Sequence, residues 1–238
     1  MAGLNVTGIP QLAELQRYGI DLTRRDVVEA SLYDYAVYPT GGATQFNFFA
    51  LPIGQGLSSH PGNAGNTKTT ADTNLRLSSQ LPVGYGFLVQ AVEIDFEPGS
   101  VSTANTYTPM APQSFTAVAA GTVQNGIQDV NALAVSGQLT FLVAAKAVIE
   151  DAPLGLFPPR NRLDMFGAVA SNSTTAGEVM LGRAKFGGRP YTLRIPTFLN
   201  QQVNFGIALN FPVAVATPSG FNGRIGVRLS GLLVKPVQ

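Results

Sequence analysis

Glu93, Asp95 and Glu97 stand two residues apart in the segment Val92-Glu93-Ile94-Asp95-Phe96-Glu97. On an extended strand successive side chains point to opposite faces, so the three carboxylates share one face, roughly 7 Å apart. Oxygen ligands in such a row can hold a hard cation such as calcium. Two carboxyl groups at that separation can also serve glycoside hydrolysis. A third use involves no chemistry, because any alternating strand offers a polar face that is solvated or turned to a neighbouring subunit. The chain has no Trp to supply a sugar platform, which weighs against hydrolysis. The solvated or subunit-facing row fits best, and a cation site at Glu93, Asp95 and Glu97 comes next.

Other chemistry is scarce. There is one histidine, His60, and there are no cysteines. Thiolate sites, cysteine nucleophiles and disulfides are therefore excluded, and a histidine-rich metal centre cannot be built within one chain. A Ser-His-Asp triad would have to use His60. That residue precedes Pro61-Gly62 in a loop-like stretch, and it reads as a solvated loop residue. No nucleophile elbow, P-loop or dinucleotide-binding glycine motif is present. The sequence thus predicts no enzyme and no cofactor.

Basic residues gather late in the chain. Residues 1–159 hold six basic and twelve acidic side chains, while residues 160–238 hold nine and two. Arg160, Arg162, Arg183, Lys185, Arg189 and Arg194 are interleaved with Phe186 and Tyr191. Arg183, Lys185, Arg189 and Arg194 are candidates for salt bridges to the acidic first part of a neighbour, or for non-specific contact with a nucleic-acid backbone. Net charge is only +1, so no global field steers the chain to nucleic acid or a membrane.

The elements that must position these groups read as β. Only 12% of residues are charged and 45% are hydrophobic, against about 25% charged in an ordinary soluble domain. Much of the surface is therefore expected to face copies of the same chain or other proteins. The N-terminal region is the only persuasive helical stretch: Pro10 opens a helix that Gly19 ends, and Thr23-Arg24-Arg25-Asp26 has the capping-box form. Residues 1–32 read as an arm with short helices, with Leu12, Leu15, Tyr18, Arg24 and Arg25 as candidate contacts to a neighbour. Residues 33–238 read as one antiparallel β-sandwich. Candidate strands are Tyr33–Tyr38, Phe46–Leu51, Leu81–Phe96, Gly137–Ile149 (one strand or two), Val179–Phe186 and Tyr191–Ile195. Along the third, Leu88, Val92, Ile94 and Phe96 form the core face. Residues 203–211 and 224–229 alternate most cleanly and are expected to pair as antiparallel neighbours. Gly54–Ser79, Ser100–Pro112 and Ala170–Gly177 are polar loops, and loops of more than about 15 residues are usually functional or ordered by a partner.

No apolar run reaches the ~18 residues of a membrane-spanning helix. The first ten residues lack the basic and apolar regions of a secretion signal, which predicts synthesis in the cytoplasm.

Three segments carry a resemblance: Thr73-Asn74-Leu75 through Leu81-Pro82-Val83-Gly84 into Phe87–Phe96; Gly137–Ile149 leading to Pro153-Leu154; and the Val203–Val237 ending with its Arg228-Leu229-Ser230-Gly231. Over about residues 40–238 the chain resembles β-rich structural proteins of bacteriophage virions, especially jelly-roll capsid proteins. The resemblance implies an eight-stranded jelly roll behind a short helical arm, found in the virion and made in the host cytoplasm. It implies a shell subunit whose partners are copies of itself, in trimers, pentamers or hexamers, and other virion proteins. A capsid decoration protein and a receptor-binding spike head with exposed loop aromatics such as Tyr107 are the alternatives, ahead of a β-sandwich glycan hydrolase.

Overall fold

The computed structural model describes residues 15–109, 120–157, 161–172, 175–186 and 190–237, with the backbone alone for 120–127, 161–172 and 175–186. Its strands are β1 (Arg25–Tyr38), β2 (Gln45–Phe48), β3 (Gly86–Glu97), β4 (Gln138–Val143), β5 (Lys146–Pro153), β6 (Asn161–Asn172), β7 (Thr175–Phe186), β8 (Tyr191–Leu199), β9 (Phe205–Asn210) and β10 (Gly223–Pro236). A helix, α1 (Ala120–Ser136), lies between β3 and β4.

The pairing is nested. β1 pairs with β10, β2 with β9, β3 with β8 and β4 with β5, every ladder antiparallel. Two further ladders, β10 with β3 and β9 with β4, complete the sheets. The result is two four-stranded sheets, ordered β1-β10-β3-β8 and β2-β9-β4-β5, with β6 and β7 forming a separate hairpin. Among the described residues the chain is thus an all-β sandwich with the helix α1 inserted.

One apolar core joins the sheets. Leu32, Tyr38, Val92, Ile94, Phe96, Val227 and Leu229 come from the first, and Phe48, Leu139, Phe141, Ile207 and Leu209 from the second. Burying each such side chain contributes about 1.5–3 kcal/mol. Tyr38 sits at the junction: its ring stacks on Phe46 at 5.1 Å and meets the edge of Phe96 at 5.6 Å, geometries that aromatic quadrupoles favour.

A β-bulge divides β3. Its register with β8 shifts between Val89 and Ala91, and its register with β10 shifts at Ser230/Gly231. The extra residue flips the alternation. Val89 and Val92 therefore face the main core, whereas Leu88 turns to the other side of the sheet and packs with Leu15 and Val234. The expected single face holding Leu88 with Val92 is wrong for this reason. Gly231 is required at the bulge, since a Cβ there would lie 1.8 Å from the Leu88 carbonyl oxygen.

Other expectations are also corrected. A helical turn, Leu15–Arg17, ends at Gly19, whose φ of +74° suits a helix stop. The second expected helix is instead a 3₁₀ turn, Leu22–Arg24, capped by Asp21 and followed at once by β1. The boundary drawn at residue 32 falls inside that strand. Strand pairing with β10 along all fourteen residues outweighs the local capping-box signal. β9 and β10 do not pair; they lie in different sheets, and their apolar faces meet across the core. Residues 170–172 and 175–177 belong to the β6–β7 hairpin rather than to a loop. Gly137–Ile149 resolves into β4 and β5, joined by Ala144-Ala145 at φ of +50° and +62°.

Candidate functional site

The carboxylate row lies on the outer face of the first sheet. Register sets Arg224 beside Glu97, Gly226 beside Asp95 and Arg228 beside Glu93. On the far side of β10, Tyr35 is opposite Gly226 and Tyr33 is opposite Arg228. The face therefore alternates acids on β3 with arginines on β10, and β1 adds the tyrosines.

Glycine at 226 makes the central contact. The Tyr35 ring lies across that position, and a Cβ there would fall 2.1 Å from its Cδ1. Crossing β10 in this way, the Tyr35 hydroxyl donates to Asp95 Oδ2 at 2.7 Å. Arg228 Nη2 donates to the Tyr35 oxygen at 3.0 Å and to Asp95 Oδ2 at 3.3 Å. The Arg224 guanidinium sits 4.0 Å over the Tyr35 ring, a cation–π contact. Arg224 also lies 3.6 Å from Glu97 Oε2, to which the Tyr107 hydroxyl donates at 3.2 Å. Ser230 Oγ donates to Glu93 Oε1 at 3.2 Å. Glu93 and Asp95 are buried.

Glu93 and Asp95 are thus held within the sheet rather than solvated, while Glu97 keeps 32% of its side chain exposed. Two guanidiniums supply the countercharge, and among the described residues no three His, Asp or Glu side chains could hold a metal ion. One oxygen, Asp95 Oδ1, is buried without a hydrogen-bond partner. Burial and the neighbouring Asp95 charge push the Tyr35 phenol up to about 12. Burial and Glu97 raise Tyr107. Both phenols are protonated at neutral pH and act as hydrogen-bond donors, not as bases. Burial alone would lower Arg228, but Tyr35, Asp95 and Glu93 outweigh it and hold the guanidinium above its ordinary value.

The stretch from residue 50 to 79 has no regular strand, yet it is pinned to both faces of β1. On the inner side Asp34 Oδ1 takes Lys68 Nζ at 2.5 Å, both side chains buried, while Oδ2 accepts the Phe49 N–H at 2.7 Å. Burial nonetheless raises the Asp34 carboxyl above its ordinary value. On the outer side Tyr33 donates to the Thr70 carbonyl at 2.6 Å, and Arg224 donates to Ser59 Oγ and the Ala71 carbonyl. Asp72 ties the stretch together by accepting from Ser58, Ser59 and Thr69. Burial opposes its charge, but these donors prevail and its carboxyl lies below the usual value.

The remaining sequence candidates scatter. Leu12 and Arg189 lie outside the described residues. Leu15 is fully buried on its own sheet, packed with Leu88 and Val234. Tyr18 stacks on Phe198 at 5.6 Å and donates to the Pro196 carbonyl at 2.5 Å. Arg25 donates to the Gly84 carbonyl, and Arg24 is exposed. Leu15, Tyr18 and Arg25 thus make contacts within the protomer. Arg183 and Lys185 are on β7, in register with Asp164 and Arg162 of β6, while Arg194 is exposed on β8. His60 is exposed and accepts from the Gly62 N–H, as a loop residue would. Tyr107 is buried and offers no exposed aromatic platform.

Sequence reasoning missed Tyr35, Arg224 and Arg228 as partners of the acids. A signal existed: Arg224, Gly226 and Arg228 alternate at the same spacing of two as Glu97, Asp95 and Glu93, and antiparallel pairing of those strands matches them.

No protein-family model matches the chain, and comparison with curated proteins and with solved structures finds no match.

Proposed function

We propose that the chain is a shell subunit of a bacteriophage virion, built on a single jelly roll, whose work is self-assembly. The observation that carries this reading is the strand order. A long antiparallel hairpin with the pairs β1/β10, β2/β9, β3/β8 and β4/β5, wound so that β10 meets β3 and β9 meets β4, is what a two-sheet jelly roll of eight strands requires. α1 and the β6–β7 hairpin are insertions in two of its connections. Jelly rolls serve capsids, lectins and cupins. A cupin-like site needs an open interior, and this interior is filled by Phe48, Phe141, Leu139, Ile207 and Leu209, each under 3% exposed. The acids that would serve a hydrolase are bound to Arg228, Arg224 and Tyr107.

Composition supports the same reading. The chain is poor in charge, and Val83, Val135, Ile195 and Val213 are each more than 60% exposed. In this reading each of these apolar side chains lies in a contact with a neighbouring copy. In this reading the basic group at 183–194 meets a neighbour's acidic part or the genome backbone, and charge reversal at Arg183, Lys185 and Arg189 impairs assembly or packaging.

Light scattering of the purified chain across a concentration series tests the proposal. Large discrete oligomers, or oligomers that grow with concentration, are expected. A monomer at every concentration refutes the self-assembling shell.

A further inference from the structure

A sandwich of two open sheets has four edges, and an edge strand presents unpaired N–H and C=O groups. Three of the four are blunted. β2 is only four residues long. β5 is broken by two register irregularities, and its Asp151 has a φ of +44°. β8 loses register opposite Val89/Ala91 and carries Pro196, whose carbonyl is taken by Tyr18.

β1 is different. Its C-terminal half is covered: the Tyr35 N–H donates to the Asp72 carbonyl. The Asn74 side chain imitates a neighbouring strand, accepting from the Tyr33 N–H and donating to the Ser31 carbonyl. These bonds show that odd-numbered residues point their peptide groups away from β10, and the β1–β10 register is unbroken. Arg25, Val27 and Glu29 therefore present their N–H and C=O groups at the edge, and among the described residues they have no backbone partner there. The segment before β1 runs across the face of the sheet, with Tyr18 stacked on Phe198 of β8 and Leu15 packed with Leu88 and Val234.

We infer that the edge Arg25–Glu29 pairs antiparallel with the same edge of a second copy, about a two-fold axis at Val27. The charges choose the register. Centring on Asp26 would set Asp26 against itself, and centring on Glu29 would do the same with Glu29. Centring on Val27 sets Arg25 opposite Glu29 of the second copy, twice, and keeps the outward peptide groups facing one another. Opposite charges directly across a ladder stabilise it and like charges destabilise it. One Arg25 nitrogen is engaged by Gly84, and a guanidinium has further donors to spare. The pairing adds about six backbone hydrogen bonds and joins the two β1-β10-β3-β8 sheets into one of eight strands. A strand-only contact falls at the small, transient end of interfaces, as suits one of several contacts in a lattice.

This inference rests on the self-assembly reading and specifies one of its contacts. The experiment is a sedimentation dilution series on the full chain, unmodified and with Glu29→Pro, with circular dichroism as the check on folding. Proline at 29 removes an N–H that β10 does not use, and prolines are tolerated at such edge positions. Self-association weakened about tenfold or more, with an unchanged fold, is expected. Glu29→Lys should weaken it too, and adding Arg25→Glu to that variant should restore it. If Glu29→Pro associates like the unmodified chain, or if only deletion of residues 1–14 dissociates it, the edge pairing is overturned and the shell reading stands. If the unmodified chain never associates, the shell reading fails and the edge pairing with it.

Discussion

Gly226→Ala should be among the most damaging single-methyl additions this chain can receive. The added Cβ would stand 2.1 Å from Tyr35 Cδ1, 2.3 Å from Cε1 and 2.8 Å from Cγ. Comfortable carbon–carbon contact begins near 3.5 Å, so the ring must retreat by about 1.5 Å. It cannot retreat and keep its hydroxyl 2.7 Å from Asp95 Oδ2. Two costs follow. Overpacking costs about 1–3 kcal/mol. Loss of a hydrogen bond to a buried charged group costs about 1.5–3 kcal/mol. The sum, about 2.5–6 kcal/mol, is a large share of the 5–15 kcal/mol that ordinarily separates folded from unfolded states. Neither Tyr35 nor Asp95 is altered chemically, so the loss would be geometric in origin.

Urea denaturation measures the effect, with two controls. Tyr35→Phe removes only the hydroxyl and should cost about half as much as Gly226→Ala. Tyr35→Ala removes the obstacle, so Gly226→Ala made in that background should cost less than 1 kcal/mol, a coupling that a double-mutant cycle exposes directly. A Gly226→Ala cost below about 0.5 kcal/mol, or simple additivity with Tyr35→Ala, would refute the claim that Gly226 exists to let Tyr35 cross β10.

Three more predictions concern single sites. Lys68→Met strands a buried Asp34 and should cost about 3–5 kcal/mol, while adding Asp34→Asn should recover more than half, both read from denaturation midpoints. At the β4–β5 turn, Ala144→Asn with Ala145→Gly replaces two alanines in left-handed backbone by residues that accept it. Thermal unfolding should show a gain of about 1–2 kcal/mol. Asp129 is buried on α1 and accepts the Ser219 N–H at 2.8 Å, and burial holds its carboxyl above the ordinary 3.8 despite that bond. The folded state thus binds this proton more tightly than the unfolded state does, and the stability it contributes is lost as pH rises through the folded pKa. Asp129→Asn should therefore gain on the unmodified chain between pH 4 and pH 7; an equal difference at both would contradict the assignment.

The sequence made the strands legible wherever one face was apolar and the other polar, as in residues 205–210 and 223–229. It misled where a long-range partner overrode a local signal. Thr23-Arg24-Arg25-Asp26 has a helix-start pattern, yet β10 offers Arg25 onward a full ladder. Leu88 follows the parity of Val92, but one bulge residue reverses it. α1 escaped notice because Gly121, Gly126, Thr122, Val123 and Asn125 are weak helix formers, although Val123, Ile127, Val130 and Ala134 recur at helical spacing. The acids were visible and their arginines were not, because pairing β3 with β10 joins residues more than a hundred positions apart. No local pattern specifies such a pairing; it follows only from the winding of the whole hairpin.

The placement of charge sharpens the argument for assembly. Of only 15 basic and 14 acidic residues, Asp34, Lys68, Asp72, Glu93, Asp95 and Asp129 are buried, and Arg224 and Arg228 are half-buried among them. The charge left to face water is scarcer than the composition already implied. The exposed aliphatics, by contrast, do not form one patch. Leu51, Ile53, Leu57 and Leu77 lie on the stretch pinned to β1, and Ile195 lies on β8, at opposite edges of the first sheet. Val135 ends α1, and Val213 stands between β9 and β10. A closed dimer needs one self-complementary patch; a subunit met by neighbours on several sides needs several. Ile195→Asp should therefore remove one contact and leave the others, giving smaller discrete oligomers by light scattering. Complete dissociation to monomer from that single change would mean that one interface, not a lattice, accounts for the exposed apolar surface.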